Sequence, residues 1–188
     1  MYEDFIKYGR ILFDEGLNNS HSGNMSRRYG ESIYITKHGA RLGDLGFGDI
    51  VKVNLYDDSR DEGASCEVKV HRAIYIANPK VQAVVHAHTP HAIVLSLSSE
   101  KIIPIDMEGA FYMKEIPVLT SCETTISSDC VAEKLPSLVG VFGVAVVRGH
   151  GAFAVGSSIE EATMRLSVVE SASRIIYLNK ILSSSVGK

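Results

Sequence analysis

The chain has 188 residues, 45% apolar and 22% charged, and a formal net charge of −3. A chain of this length buries about 70% of its unfolded surface, which suits one domain, 1–188, with a substantial core. The weak negative charge excludes a broadly basic nucleic-acid surface, and no apolar run approaches the ~18 residues that cross a bilayer.

In chain order, the start MYEDFIKYGRILFDEGL is charged and amphipathic rather than a signal peptide. It predicts a helix over 2–15, with Phe5, Tyr8 and Leu12 on one face and Gly16 as the stop. HSGNMSRR (21–28) reads as a glycine-containing loop. ESIYITKHGARLGDL suggests a strand at 32–36, followed by a turn and a short irregular piece. DIVKVNLY (49–56) alternates as a strand does, and YDDSRDEGAS (56–65) reads as an exposed loop within the domain. EVKVHRAIYIANP predicts a helix over 67–79, stopped before Pro79. VQAVVHAH (81–88) is a strand, with Thr89 as N-cap and Pro90 as first residue of the helix that follows.

VFGVAVV (141–147) and GAFAVG (151–156) form a second strand region. Ser158 and Glu161 make a capping box before a long helix, in which Ile159, Ala162, Leu166 and Val169 recur at helical spacing. Strands mixed with helices around a two-sided core predict an α/β fold. The three cysteines, Cys66, Cys122 and Cys130, are odd in number and never spaced C-x-x-C. They predict free thiols and a reducing cytoplasm.

The chemistry concentrates in VVHAHTPHA (84–92). Residues two apart on a strand share a face, so His86 and His88 project side by side where the apolar strand runs out. Two neutral imidazoles so placed suit two corners of a zinc site; the plain alternative is a pair of hydrogen-bonded residues at a strand end. His150, between two glycines in VVRGHGAFAVG, would complete a three-histidine set with an open position. His91 competes for that role but falls one turn into the next helix. There is no H-E-x-x-H and no G-x-S-x-G. The triad alone therefore leaves the reaction open.

Three more stretches narrow it. Gly23 and Asn24 in HSGNMSRR offer an anion-binding nest. His38 and Gly39 in TKHG form a second polar turn, and Ser65 and Cys66 stand at a helix start that favours phosphate, with Glu67 next. Each alone is as readily a turn, a cap or a solvated charge. In order, S-G-N-x-S, T-x-x-G, S-x-E, V-V-H-x-H and G-H-G-x-x-x-x-G resemble the class II aldolase/adducin family over about residues 5–180.

That resemblance implies a central, mainly antiparallel sheet with helices on both faces, assembled as a homotetramer with sites at subunit interfaces. It implies a Zn2+ ion held by His86, His88 and His150, and by Glu67 when substrate is absent. Glu67 would be the catalytic carboxylate, and Gly23, Asn24, His38, Gly39, Ser65 and Cys66 the phosphate pocket. The implied activity is cleavage of a ketose 1-phosphate to dihydroxyacetone phosphate and a small aldehyde, in the cytoplasm.

The chain departs from the family's usual hydroxyl at His38 and often a second serine at Cys66. Tyr112 is near, but not aligned with, the family's aldehyde-side tyrosine, and the chain stops at Lys188 without the longer tail of some relatives. Rival readings within the fold are a pentulose-phosphate 4-epimerase, disfavoured by glutamate where aspartate is usual, and a methylthioribulose-1-phosphate dehydratase. A rival of another class is a non-catalytic adducin-like interaction module, which would lack the metal histidines.

Overall fold

The computed structural model describes residues 1–186; the last two residues of the 1–188 span, Lys188 among them, lie outside the described residues. Helix α1 (Tyr2–Asp14) buries Phe5, Tyr8 and Leu12 as their spacing predicts, and Gly16, at φ +71°, turns the chain out of it. Strand β1 (Asn24–Tyr29) follows. This corrects the loop expected at 21–28. The segment carries Asn, Ser and Arg where an apolar alternation would signal a strand, so only its position inside the sheet identifies it. Strands β2 (Ser32–Thr36) and β3 (Ile50–Asn54) flank two short 3-10 turns at Leu42–Asp44 and Phe47–Asp49.

Helix α2 (Val68–Ala77) then leads to β4 (Ala83–Ala87), so His88 lies just past the strand end. Helix α3 (Pro90–Ser96) starts at the proline as expected, but the Thr89 hydroxyl does not cap it. Its first amides, of His91 and Ala92, instead donate to the Glu170 carboxylate at 3.1–3.4 Å, where a full charge meets the helix dipole.

After β5 (Lys101–Ile102), α4 (Met107–Tyr112) and β6 (Ile116–Leu119) comes helix α5 (Asp129–Phe142), where the sequence pattern places no helix. Pro136 lies inside it, and the Asn78 amide donates to the Pro136 carbonyl at 3.0 Å. Val141 and Phe142, expected in a strand, are the last residues of α5; Gly143, at φ +75°, stops the helix. Strands β7 (Val144–Val147) and β8 (Gly151–Gly156) precede the long α6 (Ile159–Val186). Ser158 caps the Glu161 amide, but the Glu161 carboxylate reaches back to Ser157 rather than closing the box on Ser158.

The sheet runs β3-β2-β1-β4-β8-β7-β6-β5, antiparallel except for the parallel pair β6 and β7. One face packs under α1, α3 and α6 with Met25, Val85, Val146 and Ala154; the other packs under α2 and α5 with Val84, Ala145, Phe153 and Val155. The α/β class, the mainly antiparallel sheet and the helices on both faces are as the sequence predicts.

The cysteines are not. Cys122 and Cys130 form a disulfide, their Cα atoms 5.8 Å apart, and only Cys66 is free. The first turn of α5 brings back a residue eight positions along the chain, a closure that a C-x-x-C search overlooks. The cysteines therefore give no support to a reducing compartment.

Candidate active site

The register of β1, β4 and β8 sets one row of the site: Asn24 stands opposite His86, and His86 opposite Phe153. Direct partners on antiparallel strands share a face, so all three point toward α2. The His86 ring stacks on Phe153, centroids 4.1 Å apart and planes 17° apart. His88 follows on the same face, and His150 arrives from the turn between β7 and β8. The three rings lie 4.7–5.1 Å from one another by centroid. One ligand atom from each falls within 4.8 Å of the others, the one such group among the described residues. His91 is elsewhere, its Nδ1 2.5 Å from Glu170.

The electrostatics suit a cation. Burial holds His86 at a pKa of about 3 and His150 at about 4, and lowers His88 as well, so all three are neutral near pH 7. Neutral His86 must donate from Nδ1 to the Ala152 carbonyl at 3.0 Å, leaving the Nε2 lone pair bare. That atom, His150 Nδ1 and Glu67 Oε1 are buried without a partner. Leaving such an atom unsatisfied costs about 1–3 kcal/mol. A metal ion shared by imidazoles and a carboxylate answers that deficit, so the donor set fits one.

Glu67 occupies the N-cap position of α2 without a side-chain cap hydrogen bond, and is 2% exposed. Its Oε2 accepts from Asn24 Nδ2 at 3.0 Å and stands 3.4 Å from His86 Nε2, while Oε1 stands 3.8 Å from His150 Nε2. A cavity of about 310 Å³ opens here, lined by every residue the sequence singled out for phosphate: Gly23, Asn24, His38, Gly39, Ser65 and Cys66. Gly23 and Gly39 both turn at positive φ, +79° and +72°. Asn24 lines the cavity, but its amide donor is committed to Glu67. Burial and the Glu67 charge raise the Cys66 thiol pKa.

Sequence reasoning missed several contributors. His21 and Lys37 add an imidazole and an ammonium group to the lining, and Ile126 enters it from the loop before α5. Ser127 in that loop donates to the Cys66 carbonyl. Asn18 accepts from the His88 amide at 3.2 Å and packs so closely under Gly23 that a Cβ there would meet it at 2.5 Å. Only the basic residues flanking glycine turns carried a sequence signal. Tyr112 is half-exposed on α4 and is not among the residues lining the cavity.

A histidine triad beside a buried glutamate, at one end of the central strands β4 and β8, defines an α/β protein with a candidate metal site. Residues 3–177 match the family described as Class II Aldolase and Adducin N-terminal domain, and the chain belongs to that family. It is 28% identical over 184 residues to the L-fuculose phosphate aldolase of Methanococcus vannielii, covering 97% of each chain. A methylthioribulose-1-phosphate dehydratase of Marinobacter nauticus is 34% identical over 114 residues, 57% of this chain and 53% of that one. Among solved structures, L-fuculose-1-phosphate aldolase from Thermus thermophilus superimposes with a TM-score of 0.93 at 32% identity, over 97% of this chain and 95% of that one.

Proposed function

We propose that the protein is a zinc-dependent class II aldolase that reversibly cleaves a ketose 1-phosphate to dihydroxyacetone phosphate and a small aldehyde. One observation carries the reading: three neutral histidines and the unpartnered Oε1 of Glu67 converge at one cavity with Gly23, His38, Gly39, Ser65 and Cys66. The near-full-length likeness to fuculose-phosphate aldolases supports it.

His86, His88 and His150 would hold the ion, with Glu67 as a further ligand when no substrate is bound. A divalent ion held there would supply a Lewis acid for the negative charge that develops on the substrate. Glu67 moves the proton at C1 through Oε1, its other oxygen being held by Asn24. The glycine turns and the helix start at Ser65 and Cys66 anchor the phosphate, and Lys37 and His38 add positive or donor groups where relatives carry a hydroxyl.

We place the enzyme in the cytoplasm, where a phosphorylated sugar is retained by its charge, and propose a homotetramer. The exposed Met107 and Phe111 on α4, at 89% and 82%, support a surface covered by another copy. The dehydratase likeness keeps a second reaction on the same scaffold in view.

The deciding experiment is dihydroxyacetone phosphate alone in D₂O with the zinc-loaded protein, followed by NMR at C1. Stereospecific exchange is expected, with Glu67→Gln slowing it about 10²- to 10⁴-fold while zinc is retained. Absence of exchange with metal bound would overturn the aldolase reading and leave the epimerase and dehydratase readings.

A further inference from the structure

Behind Glu67 runs a buried line of polar side chains that the proposed chemistry does not use. Glu67, His71 and Tyr75 stand four residues apart along α2, and Asn24 and Ser26 two apart on β1. Four helical residues rise about 6 Å and two strand residues about 6.6 Å, so the two rows keep step and interleave. Asn24 Nδ2 lies 3.0 Å from Glu67 Oε2, and Asn24 Oδ1 2.6 Å from His71 Nε2. Ser26 Oγ lies 2.7 Å from His71 Nδ1 and 2.8 Å from the Tyr75 hydroxyl. His71, Tyr75 and Ser26 are 0% exposed.

The proton on each atom of this line is determined by its neighbour. An ionised Glu67 only accepts, so Asn24 must turn its amide nitrogen toward it and its oxygen toward His71. His71 must then donate from Nε2. Its other nitrogen, Nδ1, stands 2.7 Å from the Ser26 hydroxyl and accepts from it. The Ser26 oxygen, its proton spent, accepts from Tyr75. Every donor is aimed along the line toward Glu67, and no member is free to reverse alone.

We propose that His71 is a positioning residue for Glu67, holding the Asn24 amide so that one carboxylate oxygen is pinned and the other faces the site. This rests on the proposed role of Glu67 in moving the substrate proton. It also explains why β1 carries Asn24 and Ser26 on a face otherwise packed with apolar side chains.

The test joins a structural and a kinetic measurement. Long-range ¹H–¹⁵N spectra of the imidazoles in the metal-free protein should show His71 protonated at Nε2 and bare at Nδ1. Ser26→Ala should leave that tautomer in place, because Glu67 fixes it through Asn24, whereas Glu67→Gln, whose amide can also donate and so lets Asn24 turn over, should leave a mixture. The opposite tautomer in the native protein, or an unchanged one in Glu67→Gln, would overturn the proposal. In the C1 exchange assay His71→Leu should lower kcat about 10- to 100-fold, with KM for dihydroxyacetone phosphate within about threefold. His71→Gln, which keeps a donor near the Nε2 position, should recover most of that loss. Folded variants with unchanged kcat, or a loss confined to KM, would reduce His71 to a packing role. If the native protein exchanges no C1 proton, the functional reading fails, while the tautomer measurement still decides the line itself.

Discussion

Gly151 shows how little room the site leaves. A Cβ there would lie 2.5 Å from the Ala87 carbonyl oxygen and 3.0 Å from His86 Cε1, so β8 sits against β4 only because this residue has no side chain. Gly151→Ala must push the strands apart at the metal ligand. We expect a loss of about 1–3 kcal/mol in urea unfolding together with weaker zinc binding in a chelator competition. Unchanged zinc affinity would mean that the strand gap does not set the His86 position. The histidines and Glu67 were legible as chemistry because H-x-H, G-H-G and S-x-E have few other uses in that order. Asn18 and His71 were not, because a buried asparagine or histidine gains its meaning only from partners distant in the chain, 70 residues for Asn18 with His88 and 47 for His71 with Asn24.

Among the elements, the 56–65 loop is exposed over most of its length as its composition predicts, but Ala64 and Ser65 at its end are buried, and it is anchored. Arg72 on α2 reaches Asp61 at 2.6 Å and the Asn54 carbonyl at 3.1 Å, with both charged side chains largely buried. Arg72→Ala strands the Asp61 carboxylate and an acceptor at the end of β3. The expected cost is about 2–4 kcal/mol, read as a lowered Tm, with new proteolytic cleavage inside 56–65. A variant as stable and as protease-resistant as the native protein would show the pair to be incidental. Helix α1 was legible from periodicity because it buries one stripe, and α6 because Ile159, Ala162, Leu166 and Val169 do so along its first turns. Helix α5 was hidden by Pro136, and β1 by its polar residues; packing against α2 and the neighbouring strands overrides the local preference in both.

For the whole molecule, the buried histidines couple stability to pH. His71 and His86 at about 3 and His150 at about 4 lie below the 6.5 of an unfolded histidine. Below pH 6.5 the unfolded chain therefore binds protons that the folded one refuses, and stability falls with acidification. Above about pH 7 the contribution is fully present; from 6.5 down toward 4 it is lost at roughly 1 kcal/mol per pH unit for each group. The metal-free protein should show a Tm that is flat above pH 7 and drops steeply between 6 and 4. Zinc should raise the Tm and shift the drop to lower pH, because an ion that takes neutral histidines stabilises the folded state. A flat metal-free Tm from pH 7 to 4 would show that these histidines take up protons in the folded chain.

By itself the sequence determined the α/β class and the helices at each end, and it singled out the histidines and the glutamate of the candidate site and the glycine turns around them, since periodicity and closely spaced motifs are local. Tertiary structure alone decided the rest: the polar strand in the middle of the sheet, the disulfide, the loop bearing Ile126, and the line from Tyr75 to Glu67. Those depend on strand order and on a helix rising in step with a strand, relations between segments that no local pattern encodes.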